Sequence, residues 1–188
     1  MKRGFTLIEM LVVMALFMTL MLVVSDIFLS VSMVQRKTLA VEQGAKEMQF
    51  VMEQIAQAVR LNKINYSYYN LPLTGKIGEL ALIDRDQKET IFSLTSTNCA
   101  VGVTKCVKRS AAGVETILSP NNLEMEKFDF AILPLVDPYV YDETLKKFAS
   151  DEAPLVSIYL IAKDITAGVD DVKKIVLQTS ITTRYYER

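Results

Sequence analysis

Residues 5–34 read FTLIEMLVVMALFMTLMLVVSDIFLSVSMV, and this stretch decides the architecture of the chain. No charged residue occurs between Met10 and Ser25. In a helix, roughly 20 apolar residues, each rising about 1.5 Å, cross the hydrocarbon core of a bilayer. The stretch therefore predicts a membrane-spanning helix near the N-terminus.

Two basic residues, Lys2 and Arg3, precede the apolar stretch. The positive-inside rule leaves such an N-terminus in the cytoplasm and places the rest of the chain beyond the membrane. A secretory signal peptide has a shorter apolar region that ends in an A-x-A-like site, and residues 20–35 contain no such site. We therefore expect a retained single-pass anchor in the inner (cytoplasmic) membrane, with the C-terminal domain periplasmic or otherwise extracytoplasmic.

Glu9 is an acidic residue inside the apolar stretch. A carboxylate in a membrane-spanning helix costs on the order of 2.5–3.5 kcal/mol on insertion scales. Two explanations are open: the carboxylate reaches the headgroups at the membrane edge, or it meets a positive group on a neighbouring subunit. Asp26 is the second charge, and it lies toward the far interface, where it can reach water.

The first nine residues carry a short and specific motif. Lys2-Arg3-Gly4 followed by Phe5-Thr6-Leu7-Ile8-Glu9 resembles the N-terminal signal of type IV prepilins and pseudopilins. The resemblance implies that a membrane prepilin peptidase cleaves after Gly4 and N-methylates Phe5. It also implies that Glu9 serves docking into a growing filament. The implied partners are other pilin or pseudopilin subunits, the prepilin peptidase and the inner-membrane assembly platform.

The resemblance implies a structural subunit of a type IV pilus-like filament, in a pilus, a type II secretion system or a DNA-uptake machine. Residues 177–184, LQTSITTR, resemble the larger minor subunits, either the J-type pseudopilin or the W-like minor pilins. Such a minor subunit is expected at or near the filament tip, where it helps to initiate assembly. The alternatives are a tip adhesin or DNA-binding subunit on the same scaffold, and a simple signal-anchored exodomain.

Composition excludes several other classes of function. The chain has 188 residues, with 21 basic and 22 acidic residues and a net charge of −1, which argues against nucleic acid as a partner because phosphate binding needs a basic face. Histidine is absent, which excludes a Ser-His-Asp triad, a Cys-His dyad and histidine-ligated zinc or haem. We expect no enzyme activity, no cofactor and no metal site.

The helix is predicted to continue beyond the apolar stretch. One apolar stripe recurs at spacings of three and four residues, at Val41, Ala45, Met48, Met52, Ile55 and Val59. This spacing predicts a single helix from about Phe5 to Leu61, with a possible bend at Gly44. Its second half is amphipathic and is expected to pack on a sheet.

Strand patterns fill the remainder of the chain, at residues 80–84, 90–95, 114–118, 123–133, 155–163 and 174–186. Between Met125 and Phe128 the apolar face changes parity, which predicts a bulge or a strand junction. Residues 62–78 are predicted to be an irregular connector, whose tyrosines cover a sheet edge.

A helix followed by strands predicts an α+β fold with an antiparallel sheet, as in pilins. The expected organisation is a leader peptide at 1–4, a transmembrane and filament-core helix at 5–34, an amphipathic continuation at 35–61 and an exported β-rich domain at 62–188.

Cys99 and Cys106 are the two cysteines of the chain. Because export is expected, we favour a disulfide that closes this short loop, while a free pair or a metal clip stays open. Acidic residues cluster at Asp137, Asp142 and Glu143, and again at Asp164, Asp170 and Asp171. Neither cluster has the spacing of an EF-hand, so solvated loop acids are favoured over a calcium site.

Overall fold

A computed structural model describes residues 6–70, 73, 75–143, 146–150, 152–165 and 174–183. The chain divides into two compact units, Met1–Glu42 and Gln43–Arg188. Helix α1 spans Leu7–Leu61. The strands within the described ranges are β1 (Lys63–Ile64), β2 (Glu79–Ile83), β3 (Glu89–Thr95), β4 (Cys106–Ala111), β5 (Val114–Ile117), β6 (Leu123–Leu133), β7 (Tyr141–Asp142), β8 (Lys147–Phe148), β9 (Leu155–Asp164) and β10 (Lys174–Thr182).

All the strand pairs are antiparallel. One sheet has the order β1-β2-β3-β4-β5, a second has the order β10-β9-β6, and β7 pairs with β8 alone. The predicted α+β class, with one long N-terminal helix and antiparallel sheets, is confirmed.

The first unit presents apolar side chains outward. Large hydrophobic residues between Leu7 and Val34 are about half exposed or more, because no other described part of this unit covers them. The hydroxyl groups in this part of α1 bond to the backbone one turn earlier. Thr19 donates to the carbonyl of Leu16 at 2.8 Å, and Ser25 donates to that of Met21 at 2.8 Å. Such local bonds satisfy the hydroxyls where water is absent.

The core of the second unit forms between α1 and the two larger sheets. Its helical contribution includes the predicted stripe from Ala45 to Val59, with Met48, Ile55 and Val59 fully buried, and adds Val51 and Ala56. Val41, the first residue of the predicted stripe, is not part of this core. Gly44 is buried on the same face, and a Cβ placed there would lie 3.1 Å from Cδ1 of Ile175. The missing side chain at Gly44 therefore allows close approach between α1 and β10, and α1 is helical through this position.

The bulge predicted in β6 is confirmed, since its register with β9 shifts between Met125 and Lys127. On the other side of β6, the backbone of Ile77 exchanges two 2.8 Å hydrogen bonds with that of Phe130. This exchange covers part of the outer edge of β6.

The connector at 62–78 is less irregular than predicted, because it contains β1 and a 3-10 turn at Tyr66–Tyr68. Its tyrosines cover a sheet edge, as expected. β1 pairs only with the last two residues of β2. The Tyr69 hydroxyl covers the next part of this edge: it accepts a hydrogen bond from the N–H of Ala81 at 2.7 Å and donates one to the carbonyl of Glu79 at 3.2 Å.

Candidate processing and assembly site

The first turn of α1 is capped by a threonine. The N–H of Glu9 bonds to the Thr6 carbonyl at 3.1 Å and to its side-chain oxygen Oγ1 at 3.3 Å. A helix leaves its first four N–H groups without partners inside the helix, and an N-cap hydroxyl satisfies one of them. The sequence Thr6-Leu7-Ile8-Glu9 matches the T-x-x-E capping pattern, which was a readable signal that the sequence analysis missed.

Glu9 lies in this first turn, and its side chain is exposed in the isolated chain. The N-terminus of a helix carries a partial positive charge, which stabilises a nearby carboxylate by about 0.3–1 kcal/mol. This stabilisation is smaller than the free-energy cost of placing the carboxylate in hydrocarbon. The helix therefore offsets part of the penalty and leaves Glu9 able to accept a cationic partner.

Asp26 follows Glu9 by 17 positions, a distance of about 25 Å along a helix. The hydrocarbon core of a bilayer is about 30 Å thick. An 18-residue window of α1 reaches a mean hydropathy of 2.7, which makes the helix long and apolar enough to cross a membrane. The spacing places the two acids near opposite edges of such a membrane.

Gly4 and Phe5, the predicted cleavage and methylation residues, lie outside the described residues. Their roles stay predictions, as does docking through Glu9.

A disulfide joins Cys99 and Cys106 in the second unit, with their Cα atoms 5.7 Å apart. Cys106 opens β4 opposite Thr95, the last residue of β3, so the bond closes the loop of this hairpin. Neither cysteine is free. The sequence left a disulfide, a free pair and a metal clip open, and the structure has the disulfide.

In the part of the chain that the structure describes, no group of three or more Asp, Glu, Cys or His side chains converges. Asp137 accepts a hydrogen bond from the N–H of Tyr139 at 2.9 Å. Asp164 is buried, with 5% of its surface exposed. Asp170 and Asp171 lie outside the described residues.

The basic residues beside the disulfide loop are partly neutralised. Lys108 forms a 2.7 Å ion pair with Glu115 of the adjacent strand, while Lys105 and Arg109 are exposed. Two exposed cations fall short of the extended basic groove that tracks a nucleic-acid backbone.

Three tyrosines of the connector have raised pKa values. Burial raises the pKa of Tyr66, whose hydroxyl donates to the carbonyl of Pro134 at 3.1 Å, and burial also raises the pKa of Tyr69. The hydrogen bond from Tyr68 to the Glu79 carboxylate raises the pKa of Tyr68 to about 12, with a smaller contribution from burial. These hydroxyls stay protonated near neutral pH and act as structural donors.

Comparison with known proteins identifies the N-terminal segment. Residues 1–25 match the family model described as the prokaryotic N-terminal methylation motif. No curated protein and no solved structure matches the chain. The matched segment contains the basic leader, Gly4, Phe5, Glu9 and most of the apolar run. The chain therefore carries a type IV prepilin-like signal at its N-terminus.

Proposed function

We propose that this chain is a minor pilin or pseudopilin, a non-enzymatic structural subunit of a type IV pilus-like filament. The observation that carries the proposal is the methylation motif at residues 1–25, which contains the capped start of a long apolar helix. The motif supports processing by a prepilin peptidase and assembly with other subunits of the same class.

In this proposal the precursor is cleaved between Gly4 and Phe5, and Phe5 is then N-methylated. Cleavage removes Lys2 and Arg3, which reduces the basic residues from 21 to 19 and the side-chain charge from −1 to 19 − 22 = −3. It also creates an amine on Phe5. This cation and Glu9 of an adjacent subunit would relieve each other's desolvation cost in a medium of low dielectric constant.

The proposed topology places the leader in the cytoplasm and residues 62–188 outside the inner membrane. Lys2 and Arg3 support this orientation through the positive-inside rule. The Cys99–Cys106 disulfide supports it independently, because disulfides persist in the periplasm and at cell surfaces and are rare in the cytosol.

Within this class we propose a J-type or W-like minor subunit at or near the filament tip, where it helps to initiate assembly. The proposal is supported by the likeness of residues 177–184 to such subunits. The machine that would use it is a pilus, a type II secretion system or a DNA-uptake machine.

The test is the intact mass of the N-terminus, measured on full-length protein from its native membrane or from a host that co-expresses a prepilin peptidase. We expect a chain that begins at methylated Phe5. A matched Gly4→Leu variant should keep its leader in the same host. If the unsubstituted chain still begins at Met1 in the presence of active peptidase, the proposal is wrong and a signal-anchored exodomain takes its place.

A further inference from the structure

The start of α1 lies close in sequence to the proposed cleavage point. α1 begins at Leu7, and Thr6 precedes it as an exposed residue outside the helix. The proposed scissile bond joins Gly4 and Phe5, so only Phe5 and Thr6 separate it from the helix. Because one helical turn has about 3.6 residues, one further turn at this end of α1 would include the bond.

The hydrogen bonds of Thr6 indicate what fixes this start. Its carbonyl accepts the N–H of Met10 at 3.3 Å, as in a regular α-helix, and the N–H of Glu9 at 3.1 Å. Its hydroxyl oxygen Oγ1 accepts the same Glu9 N–H at 3.3 Å. A helix that began one residue earlier would need this N–H for the carbonyl of Phe5. Thr6 therefore occupies the donor that an extension of the helix requires.

Gly4 is the residue that would cap the helix if the hydroxyl of Thr6 were absent. Ser, Thr, Asn, Asp and Gly are favoured at the N-cap, whereas apolar residues such as Phe5 are not. The carbonyl of an N-cap residue accepts the first hydrogen bond of the helix. A helix capped by Gly4 would therefore bond the Gly4 carbonyl to the N–H of Ile8. The carbon of this carbonyl is the atom that a peptidase must attack.

A membrane makes the cap more important than it would be in water. α1 is long and apolar enough to cross a bilayer, and Leu7 and Ile8 at its start are 81% and 74% exposed in the isolated chain. In hydrocarbon, a backbone N–H without a partner costs more free energy than it does in water. The first turn of α1 will therefore extend toward the leader unless a cap satisfies its N–H groups.

We propose that Thr6 is a positioning residue for the prepilin peptidase. Its cap holds the start of α1 at Leu7 and keeps the Gly4 carbonyl out of the hydrogen bonds of the helix, so that the enzyme can bind and hydrolyse the bond. Hydrolysis adds water across the Gly4–Phe5 amide, which leaves a carboxylate on Gly4 and an amine on Phe5. Thr6 takes no part in this step, and the inference rests on the proposed function above.

The role of Thr6 is separate from that of Glu9. The cap uses the backbone N–H of Glu9, so a substitution of the Glu9 side chain leaves the cap in place. Docking through Glu9 concerns assembly after cleavage, whereas the cap acts before cleavage. Substitutions of the two residues should therefore impair different steps.

The experiment measures the initial rate of leader loss in the full-length protein, by intact mass, in a host that co-expresses a prepilin peptidase. Thr6→Val has nearly the same shape and no acceptor, while Thr6→Ser and Thr6→Asn keep one. Since loss of an N-cap typically shifts the helix equilibrium about fivefold, we expect Thr6→Val to lose its leader about fivefold more slowly than the parent. Thr6→Ser and Thr6→Asn should match the parent to within about twofold, because both are good N-caps.

Two control variants separate capping from other effects of the hydroxyl. Thr19→Val removes a hydroxyl that donates to the Leu16 carbonyl at 2.8 Å within α1, and this variant should lose its leader at the parent rate. Thr6→Gln keeps a polar side chain but is outside the favoured N-cap set, so it should be as slow as Thr6→Val. Formation of the Cys99–Cys106 disulfide reports export of each variant, which separates slow cleavage from failed insertion.

A spectroscopic measurement tests the cause directly, on full-length protein from a host without the peptidase. Gly4–Phe5 is the only Gly-Phe pair of the chain, so ¹³C-carbonyl glycine combined with ¹⁵N-phenylalanine isolates the NMR signal of the scissile peptide. In Thr6→Val and Thr6→Gln, the chemical shift of the Gly4 carbonyl should move toward helical values. In Thr6→Ser it should stay at the value of the parent.

The positioning role is wrong if exported Thr6→Val and Thr6→Gln are cleaved at the parent rate. It is also wrong if Thr6→Gln is cleaved normally while Thr6→Val is slow, because the peptidase would then recognise a polar side chain directly. Slow variants that keep the carbonyl shift of the parent would contradict it as well.

The proposed function is tested separately by the parent chain. A parent that keeps its leader in the presence of active peptidase overturns the proposed function. A parent that is cleaved at the same rate as every Thr6 variant overturns only the positioning role.

Discussion

At the scale of single residues, the position of Glu9 at the start of α1 bears on why an acid is tolerated there. Thr6 supplies the cap of α1, and Glu9 lies in the first turn, where the helix end is partly positive. This setting makes an acid at position 9 tolerable near the membrane edge. The capping bond does not require an acid, because Thr6 accepts the backbone N–H of residue 9 whichever side chain that residue carries. The proposed docking to a filament partner would supply a reason for a carboxylate at this position.

Glu9→Ala should distinguish an acid that only reaches the membrane edge from an acid that docks the subunit into a filament. We expect normal membrane insertion and normal cleavage, because the leader and the apolar run are unchanged, but at least tenfold less of the variant in purified filaments. The measurements are the N-terminal mass and the amount of subunit in sheared filaments. Asp26→Ala is the control, since it removes the other acid of the apolar stretch, and it should assemble normally. Normal incorporation of Glu9→Ala would contradict docking through this carboxylate.

Tyr68 predicts a pH dependence of stability. Its pKa is raised to about 12 by its hydrogen bond to Glu79, whereas an unfolded tyrosine titrates near pH 10. A group whose pKa is higher in the folded state contributes its full stabilisation of the fold at pH values below its unfolded pKa. That contribution is lost as the pH rises toward its folded pKa. The free energy of unfolding should therefore fall between about pH 10 and pH 12, and fall less in Tyr68→Phe.

Denaturant titrations over this range measure the effect, and tyrosinate absorbance follows the ionisation directly. Glu79→Gln should bring the Tyr68 titration back toward its ordinary value, because the accepting carboxylate is gone. Indistinguishable profiles in the parent, Tyr68→Phe and Glu79→Gln would show that this hydrogen bond does not couple to folding.

At the scale of elements, the sequence predicted those parts that have a strong period. The stripe on α1 and the alternation along β6 were readable because burial on one face repeats every 3.6 or every two residues. The bulge near Met125 was readable as a change of parity. β4 was missed because its residues, Cys-Val-Lys-Arg-Ser-Ala, place three successive polar side chains, Lys108 to Ser110, in half-buried or exposed positions. Its position depends on pairing with β3, which local pattern does not encode.

The candidate site was predictable to the extent that it is linear. Gly4, Phe5 and Glu9 were identified because the motif is contiguous and needs no tertiary contact. The close approach of Gly44 to Ile175 could not be recognised in the same way, because it depends on a residue more than a hundred positions later in the chain.

The β4–β5 hairpin offers a test of turn chemistry. Ala112 and Gly113 both have positive φ, at +50° and +82°, as a two-residue type I′ turn requires. Alanine is strained in this region, whereas asparagine and glycine tolerate it. Ala112→Asn should therefore raise the free energy of unfolding by about 0.5–1 kcal/mol.

Gly113→Ala is the matched opposite change. A Cβ there meets nothing within 4 Å, so the expected loss of about 1 kcal/mol comes from φ alone. Chemical denaturation of both variants checks the pair. Equal stability of the two would show that this turn tolerates any residue.

At the scale of the whole molecule, exposed and buried apolar residues are separated along the chain. The first unit exposes its hydrophobic side chains, while the buried hydrophobic core of the described residues begins at Met48. The buried core of the described residues contains no side chain from residues 7–34. In the proposed function, the apolar surface of these residues would contact lipid before assembly and other subunits afterwards.

This separation predicts that a chain beginning at Gln35 folds by itself in water. It keeps the described core and the Cys99–Cys106 disulfide, and it loses the exposed apolar run. We expect a protein that stays soluble without detergent and unfolds in a single cooperative transition.

A chain beginning at Ala56 is the control, because it also removes Met48, Val51, Met52 and Ile55 from the core. Burial of four such side chains contributes several kcal/mol, comparable with the whole stability of a small domain, so this control should not fold. If the chain from Gln35 aggregates or lacks a cooperative transition, residues before 35 contribute to folding and the separation is wrong.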